Sequence, residues 1–499
     1  MIYNFNLGIG WASSGVEYAQ AYRANILRNI GQEAKFIFTD MFPRDNIEHM
    51  TKNIGFLDSE IIWLYTFFTD FKIAPVTYTL AQLEESFKDR KYEFSRDGKI
   101  AKYIFEGSNN FYTVYLTDEK QDFVHRVEMV SNGYLIRKDY FTYGRVYSEY
   151  YAPLDKQAHL YQRRFFNEDG SVAYEEITDN DEVMYQFPDR LICSKEELVG
   201  YMVSRLKLTK SDVVIIDRTT GIGQAIMQNA SPARIGIVIH ADHFSEGGTD
   251  EEHILWNNYY EYAFSQHKHI AFYITATDDQ NRLVREQFEK YIGVTPNVIT
   301  IPVGSLDELK YPEHERKRHS LITASRLADE KHVDWLIDAV AEARKTIGDL
   351  TLDIYGKGKE EENLQGKINR LKASEYIQLM GQQNLTEVYK NYDAYLSGST
   401  SEGFGLTLLE AVGSGLPIIG FDVRYGNQNF IDDGRNGYKI PVNDHMDNRE
   451  RIRELTDRII RLFTEADMEA FHQHSYEKAK EYLTTEVEKK WEKTVMETM

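Results

Sequence analysis

Short apolar runs alternate with amphipathic stretches at both ends of the chain, and a different rhythm separates them. Ile2–Asn6 reads as a strand, Leu7–Gly15 as a glycine-bearing loop, and Val16–Asn29 has helical spacing that stops at Gly31. A second strand, Glu33–Phe38, follows at once, the opening of a doubly wound α/β domain. The same alternation resumes with apolar strands at Val213–Ile216, Arg234–Ile239 and Ile270–Thr275 and a helix from near Asp278. Gly221-Ile-Gly223 between them reads as plain strand-to-helix chemistry, leading into a short helix at Gln224–Gln228.

Between about residues 70 and 188 the period becomes two. Tyr92–Phe94, Tyr103–Phe105, Tyr112–Leu116, Phe123–Val130, Tyr134–Tyr140 and Arg145–Tyr151 alternate polar with aromatic or β-branched positions. Asp97-Gly98, Asn132-Gly133 and Asp169-Gly170 supply hairpin turns. Thirteen of the 34 tyrosines fall between Tyr92 and Tyr185, so this is an antiparallel meander inserted into the first α/β domain. An exposed aromatic sheet of this kind marks a protein-binding surface; a sheet covered by its own chain is the competing reading.

After a proline-bearing, charged linker near 303–315, a second α/β domain begins at Leu321–Ser325. Its further strands are Leu350–Tyr355, Tyr376–Met380, Ala394–Ser397 and Pro417–Gly420, with helices near 333–346, 359–372, 385–391 and 406–413. The tail from about 450 is helical and charged. The expected organisation is a doubly wound domain at 1–69 and 189–305, an inserted β-meander at 70–188, and a second doubly wound domain at 306–480. A terminal helix at 481–499 is expected to pack back on the first domain. Ligands are expected between the strand C-termini of two facing α/β domains.

Composition narrows the function. A net charge of −21 over 499 residues argues against a general nucleic-acid binder, so any diphosphate needs a local basic cluster. One cysteine, Cys193, excludes an internal disulfide and suits a reducing cytoplasm. No long apolar stretch reads as a membrane span, and the N-terminus lacks a secretion signal, so a cytoplasmic protein is expected, with peripheral membrane contact left open.

The chemistry concentrates near residue 400. Glu402-Gly-Phe-Gly-Leu-Thr-Leu-Leu-Glu410 places one carboxylate in a loop after a strand and the other on the following helix. The backbone N–H groups of 404–407 then face out of a helix N-terminus toward an anionic oxygen. A carboxylate on each side of an anion cradle fits a nucleotide-sugar site. Ser325-Arg326-Leu327-Ala-Asp-Glu-Lys331 straddles another strand-to-helix turn, where a guanidinium and an ammonium can hold one diphosphate. Such cations stabilise the charge that grows on a leaving nucleotide.

Arg326 with Lys331, then Gly381-Gln-Gln383-Asn384, then Glu402 and Glu410 together resemble the retaining glycosyltransferases of family 4, which have the GT-B fold. The resemblance implies that Arg326 and Lys331 hold the diphosphate and Glu410 the ribose. It places uracil near Gly381–Asn384, with Gln383 and Asn384 as UDP contacts, and the phosphates on the 404–407 amides, with Leu406 and Thr407 as UDP contacts. The loop Glu402-Gly403-Phe404-Gly405 faces the transferred sugar, and the acceptor's proton passes to a β-phosphate oxygen during front-face departure. Leu7-Gly-Ile-Gly-Trp-Ala-Ser-Ser-Gly15-Val16-Glu17-Tyr18, the tyrosine-rich insert and His240-Ala-Asp-His243 further resemble the GtfA-type enzymes of the accessory Sec system over nearly the whole chain. That implies transfer of N-acetylglucosamine from UDP-GlcNAc to Ser/Thr of a serine-rich repeat adhesin, together with a non-catalytic GtfB-type partner docking on the insert. It also implies Gly15, Val16, Glu17 and Tyr18 as UDP contacts, and His243, ahead of His240, as a sugar-contacting catalytic residue.

Three other readings compete. Gly8-x-Gly10 after a strand imitates a dinucleotide fingerprint, but the helix starts too late for one. Asp179-Asn-Asp181 imitates a metal motif but lies in a polar turn, the histidine pair lacks a clustered third ligand, and no metal or other cofactor is expected. A non-catalytic, chaperone-like GT-B subunit that binds the adhesin is the remaining alternative. It has no reason to keep Arg326, Lys331, Glu402 and Glu410 together.

Overall fold

The structure is a computed structural model and describes residues 1–9, 15–179, 182–443 and 446–498. Gly10–Ser14 of the first glycine loop, and Asn180 and Asp181 of the Asp-x-Asp turn, lie outside the described residues. The chain forms two compact units, one of residues 1–237 with 261–271, the other of 238–260 with 272–498.

In the first unit, parallel strands lie side by side in the order Ile61–Trp63, Ala34–Phe38, Ile2–Asn6, Val213–Ile216 and Arg234–Ile239. The helix Gly15–Asn29 connects the first two strands of the chain. A buried polar network fixes it: Arg23 donates to both Asp217 carboxylate oxygens at 2.8 and 2.9 Å, and Gln20 Nε2 donates to Asp217 Oδ2 at 2.7 Å. A buried ion pair is tolerable only when fully hydrogen-bonded, and Asn4 completes this one by accepting from Arg23 at 2.9 Å.

The meander is a ten-stranded antiparallel sheet, longer than the alternation alone predicts. Gln157–Phe166, Val172–Asp179 and Glu182–Gln186 are strands beyond the six expected. The turn before them is Asp155-Lys156, both residues at positive φ with no glycine to signal it. Asn132-Gly133 turns as expected, with φ of 49° and 83°.

The register shows that this sheet changes its buried side. In the first half Ala101, Tyr103, Phe105, Val114 and Val127 face a core closed by Leu80, Leu83 and Phe87. Their neighbours Ile100 and Ile104 on the other face are exposed. Ile100 pairs with Tyr115, Tyr115 with Arg126, Arg126 with Tyr140, Tyr140 with Tyr147, Tyr147 with Phe165 and Phe165 with Tyr174. Along that one face the later residues are buried, stacking as Tyr140–Tyr147, Tyr65–Phe165 and Phe165–Tyr174 at 4.3, 5.6 and 4.5 Å. Each reading of the sheet therefore holds in part: on this face the rings of the later strands are core, because Trp63, Tyr65 and Phe68 of the α/β part cover them, whereas Phe94, Tyr134 and Tyr161 are exposed.

The second unit holds a six-stranded, all-parallel sheet in the order Ile377–Gly381, Thr351–Tyr355, Ser320–Ala324, Ala394–Ser397, Ile418–Phe421 and Gly437–Ile440. Ser320–Ala324 is buried at every position, as a strand covered on both faces must be. Numbered along this unit, the order is 3-2-1-4-5-6, with the direction of winding reversing between Ser320–Ala324 and Ala394–Ser397. Open α/β sheets bind ligands in the crevice at such a reversal. The last strand was not expected from sequence, and the helix expected at 385–391 is one 3-10 turn, Tyr389–Asn391.

Candidate active site

The loops that leave the two strands at the reversal carry the expected residues. After Ser320–Ala324 the chain runs through Arg326 to a 3-10 turn, Asp329–Lys331, and then the helix Val333–Ala343. After Ala394–Ser397 it runs through Glu402 to the helix Leu406–Gly413. Lys331 Nζ donates to Glu402 Oε2 at 2.6 Å, joining two motifs 71 residues apart; Ser399 Oγ also reaches that oxygen, at 3.4 Å. Both members of the pair are mostly buried, whereas Arg326 is largely exposed and held only loosely by Glu330 at 3.1 Å. Arg326 thus leaves most of its guanidinium in solvent.

Gly405 caps the helix with φ +85°, and a Cβ there would lie 2.6 Å from Leu408. Leu408 and Leu409 are the first residues whose N–H groups bond back to Gly405 O, so those of Leu406 and Thr407 head the helix. Gly403 lies against the segment after Arg234–Ile239, where a Cβ would sit 2.3 Å from His240 O. Tyr425 N and Gly426 N donate to Glu402 O at 2.6 and 2.7 Å, pinning the loop from its other side. The Phe404 side chain does not line the site: its ring packs on Phe430 at 5.1 Å and Tyr482 at 6.0 Å. The side chain of residue 404 is thus placed differently from the sugar-facing expectation.

Glu410, one helical face further along, is half-buried, and burial pushes its carboxyl up to about 7, with the neighbouring Tyr389 hydroxyl opposing the shift. Tyr395 Oη ties the two loops together, donating to Ala324 O at 2.9 Å and meeting Thr407 Oγ1 at 3.0 Å. Gln383 and Asn384 are exposed on the turn after Ile377–Gly381. Their side chains are engaged locally, Gln383 with Met380 O and Asn384 with Thr386. Gly15, Val16, Glu17 and Tyr18 belong to the first unit, at the start of its first helix. Tyr18 is exposed; Glu17 is buried and accepts from Asn6.

His243 is placed differently from the expectation. Its ring is fully buried, with Nε2 2.7 Å from Gln287 Oε1 and Nδ1 3.1 Å from Tyr425 Oη. Burial lowers its pKa to about 4, so it is neutral. As the ring stands, neither nitrogen is open to a sugar, and its contact with Tyr425 makes it a support of the Glu402 loop. His240 contributes its backbone, whose N–H donates to Tyr260 Oη at 2.9 Å. Sequence reasoning passed over Asp242 in the same motif: it accepts from Ser401 at 3.2 Å, and burial raises its pKa. Tyr389, Tyr395 and Tyr425 carried no signal in the sequence, because tertiary packing alone brings them here.

A parallel sheet of this order, a cation-bearing loop and an acidic loop at its reversal, and a carboxylate on the following helix define the nucleotide-sugar half of a GT-B glycosyltransferase. Comparison with known proteins agrees. Residues 307–460 match the family described as glycosyl transferases group 1, and residues 93–189 match the GtfA extended beta-sheet domain. The GtfA subunit of a UDP-N-acetylglucosamine–peptide N-acetylglucosaminyltransferase from Streptococcus gordonii is 54% identical over 497 residues, 99% of this chain and 98% of its own. The crystal structure of the pneumococcal O-GlcNAc transferase GtfA in complex with UDP and GlcNAc is 49% identical, with a TM-score of 0.95 over 100% of this chain and 98% of that one. A GtfA/B complex structure gives 53% identity and a TM-score of 0.94 over 100% and 99%. The chain belongs to the family of GtfA subunits of UDP-N-acetylglucosamine–peptide N-acetylglucosaminyltransferases.

Proposed function

We propose that the protein transfers N-acetylglucosamine from UDP-GlcNAc to Ser/Thr hydroxyls of a polypeptide with retention at the anomeric carbon, working with a GtfB-type partner. The observation that carries this reading is the Lys331–Glu402 contact at 2.6 Å, which joins the cation loop and the acidic loop at the reversal of the sheet. Relatives named for this activity, alike over almost the whole chain, support the choice of sugar and partner.

In this scheme Arg326 and Lys331 neutralise the charge that develops on the departing diphosphate, and the head of the helix Leu406–Gly413 adds its N–H groups. Lys331 exchanges Glu402 for phosphate oxygen, which frees Glu402 and its loop to face the sugar. Glu410 accepts hydrogen bonds from ribose hydroxyls. With two cations supplying the counter-charge, no metal is required. The acceptor is proposed to be a serine-rich repeat adhesin handled by the accessory Sec system, with the enzyme cytoplasmic and peripheral to the membrane. Among the described residues no helix is long and apolar enough to cross a membrane.

The test is UDP release from UDP-GlcNAc in the presence of a Ser/Thr-rich peptide and the partner. Arg326→Ala is expected to lower kcat by at least ~100-fold, the usual scale for removing one stabiliser of developing charge. Equal rates for wild type and variant would overturn the diphosphate assignment. Absence of turnover by the wild type would overturn the reaction itself.

A further inference from the structure

Where the long sheet changes its buried side, the first unit has a small, half-open pocket of about 40 Å³ between the segment 42–74 and the strands around residues 125–147. Its apolar wall includes Phe71, Ile73 and Val146. Three polar atoms of other lining residues are shut off from solvent without a hydrogen-bond partner among the described residues: His125 Nε2, Thr142 Oγ1 and Tyr147 Oη. Tyr147 as a whole is 3% exposed. A buried polar group left unpaired costs ~1–3 kcal/mol, and Val or Phe would remove that cost at Thr142 or Tyr147 with little change of shape. Three such groups lining one space point to a ligand with hydrogen-bonding atoms of its own.

The lining sets the ligand's chemistry. Asp45 disfavours an anion, and Lys72, the exposed member of the lining, disfavours a cation. His125 is held neutral because burial lowers its pKa to about 4, so Nε2 can accept. The volume corresponds to roughly three waters, or to a group of about four heavy atoms. We infer that this pocket takes a neutral acetamido group, its methyl against Phe71, Ile73 and Val146, its carbonyl oxygen accepting from Thr142 and Tyr147, and its N–H donating to His125. The sugar of the proposed reaction carries that group, whether free or already attached to a polypeptide, and the choice of a sugar probe rests on that reading.

The experiment titrates the full-length protein, saturated with UDP, with methyl N-acetyl-α-glucosaminide, methyl α-glucoside and N-methylacetamide, following saturation transfer to the acetyl methyl. The expected result is binding of both amides that weakens ~10-fold in the Thr142→Val/Tyr147→Phe double variant, the loss of about two hydrogen bonds. Methyl α-glucoside is expected not to compete, and UDP release with a short peptide is expected to stay at the wild-type rate. Equal amide binding by the variant, equal competition by the glucoside, or only water in the pocket of soaked crystals would each overturn the proposal. A GlcNAc-bearing peptide and free methyl glycoside, run in parallel, separate the two sources of the group. N-methylacetamide takes no part in the transfer reaction, so its behaviour tests the pocket even if the sugar assignment fails.

Discussion

In the proposed role Glu410 accepts from two ribose hydroxyls as a carboxylate, yet burial raises its pKa to about 7. A carboxyl whose folded pKa is raised costs nothing below its ordinary value near 4.5. The fold then loses stability as pH rises from there through 7, where the buried group must ionise. Glu410→Gln should therefore raise the melting temperature of the donor-free protein at pH 8, by the equivalent of about 2 kcal/mol, and leave it nearly unchanged at pH 5. The same variant should weaken UDP binding at pH 8 and hardly alter it at pH 5.5. A melting shift equal at both pH values would show that the group is not desolvated as described. At this scale the sequence was most legible where a motif was contiguous: Arg326, Lys331, Glu402 and Glu410 all lie where the pattern put them. It was least legible for groups recruited across the fold. Tyr389, Tyr395 and Tyr425 look like ordinary core tyrosines in sequence, and only packing brings them beside the acidic loop.

The acidic loop is an element built by close approach. Gly403 lies where a Cβ would be 2.3 Å from His240 O, a backbone atom that cannot swing away as a side-chain end would. Gly403→Ala should push the loop off its support, lowering stability by about 1–3 kcal/mol and raising the donor KM by ~10-fold or more. Gly348→Ala, at a position with nothing within 4 Å, is the control and should change neither. Thermal unfolding and UDP-release kinetics decide it; an unshifted KM in Gly403→Ala would show the loop adapting without cost. Most strands and helices were legible as elements because their period and turn residues agreed. The exceptions have physical causes. Asp155-Lys156 turns without a glycine, and Gly437–Ile440 is a short strand with an unusual glycine at its start, at φ +151°. The residues 385–391 have helical composition, but only one 3-10 turn forms there, closed by Tyr389 and Tyr392 in the core.

On the scale of the molecule, the two parallel sheets share the doubly wound pattern expected, and the long antiparallel sheet is what sets this chain apart. Its first half leaves Ile100 and Ile104 in solvent at 45% and 42% exposure, beside Lys102 over Phe111 and Arg126 over Tyr115. Such a mixed apolar and cationic face suits a protein partner, the docking role expected of the insert from the resemblance. Ile100→Asp with Ile104→Asp should leave UDP release with a short peptide at the wild-type rate while weakening capture of the GtfB-type partner or of the long polypeptide by ~10-fold or more. Unaltered capture of both would assign that face to another task. Alternation revealed the sheet but not which side would be covered, because period two is the same whichever face is buried.

The change of buried side also divides the sheet as a cooperative object. Strands up to about Ser131 rest on Leu80, Leu83 and Phe87, and later strands on the stack that includes Tyr65 and Tyr147. Two cores on opposite faces can open at different free energies although one ladder of hydrogen bonds runs through both. Phe141 belongs to the first core and Tyr147 to the second, and both line the pocket at the seam. A group that fills that seam would couple the opening of the two halves, and so stiffen the face that carries Ile100 and Ile104.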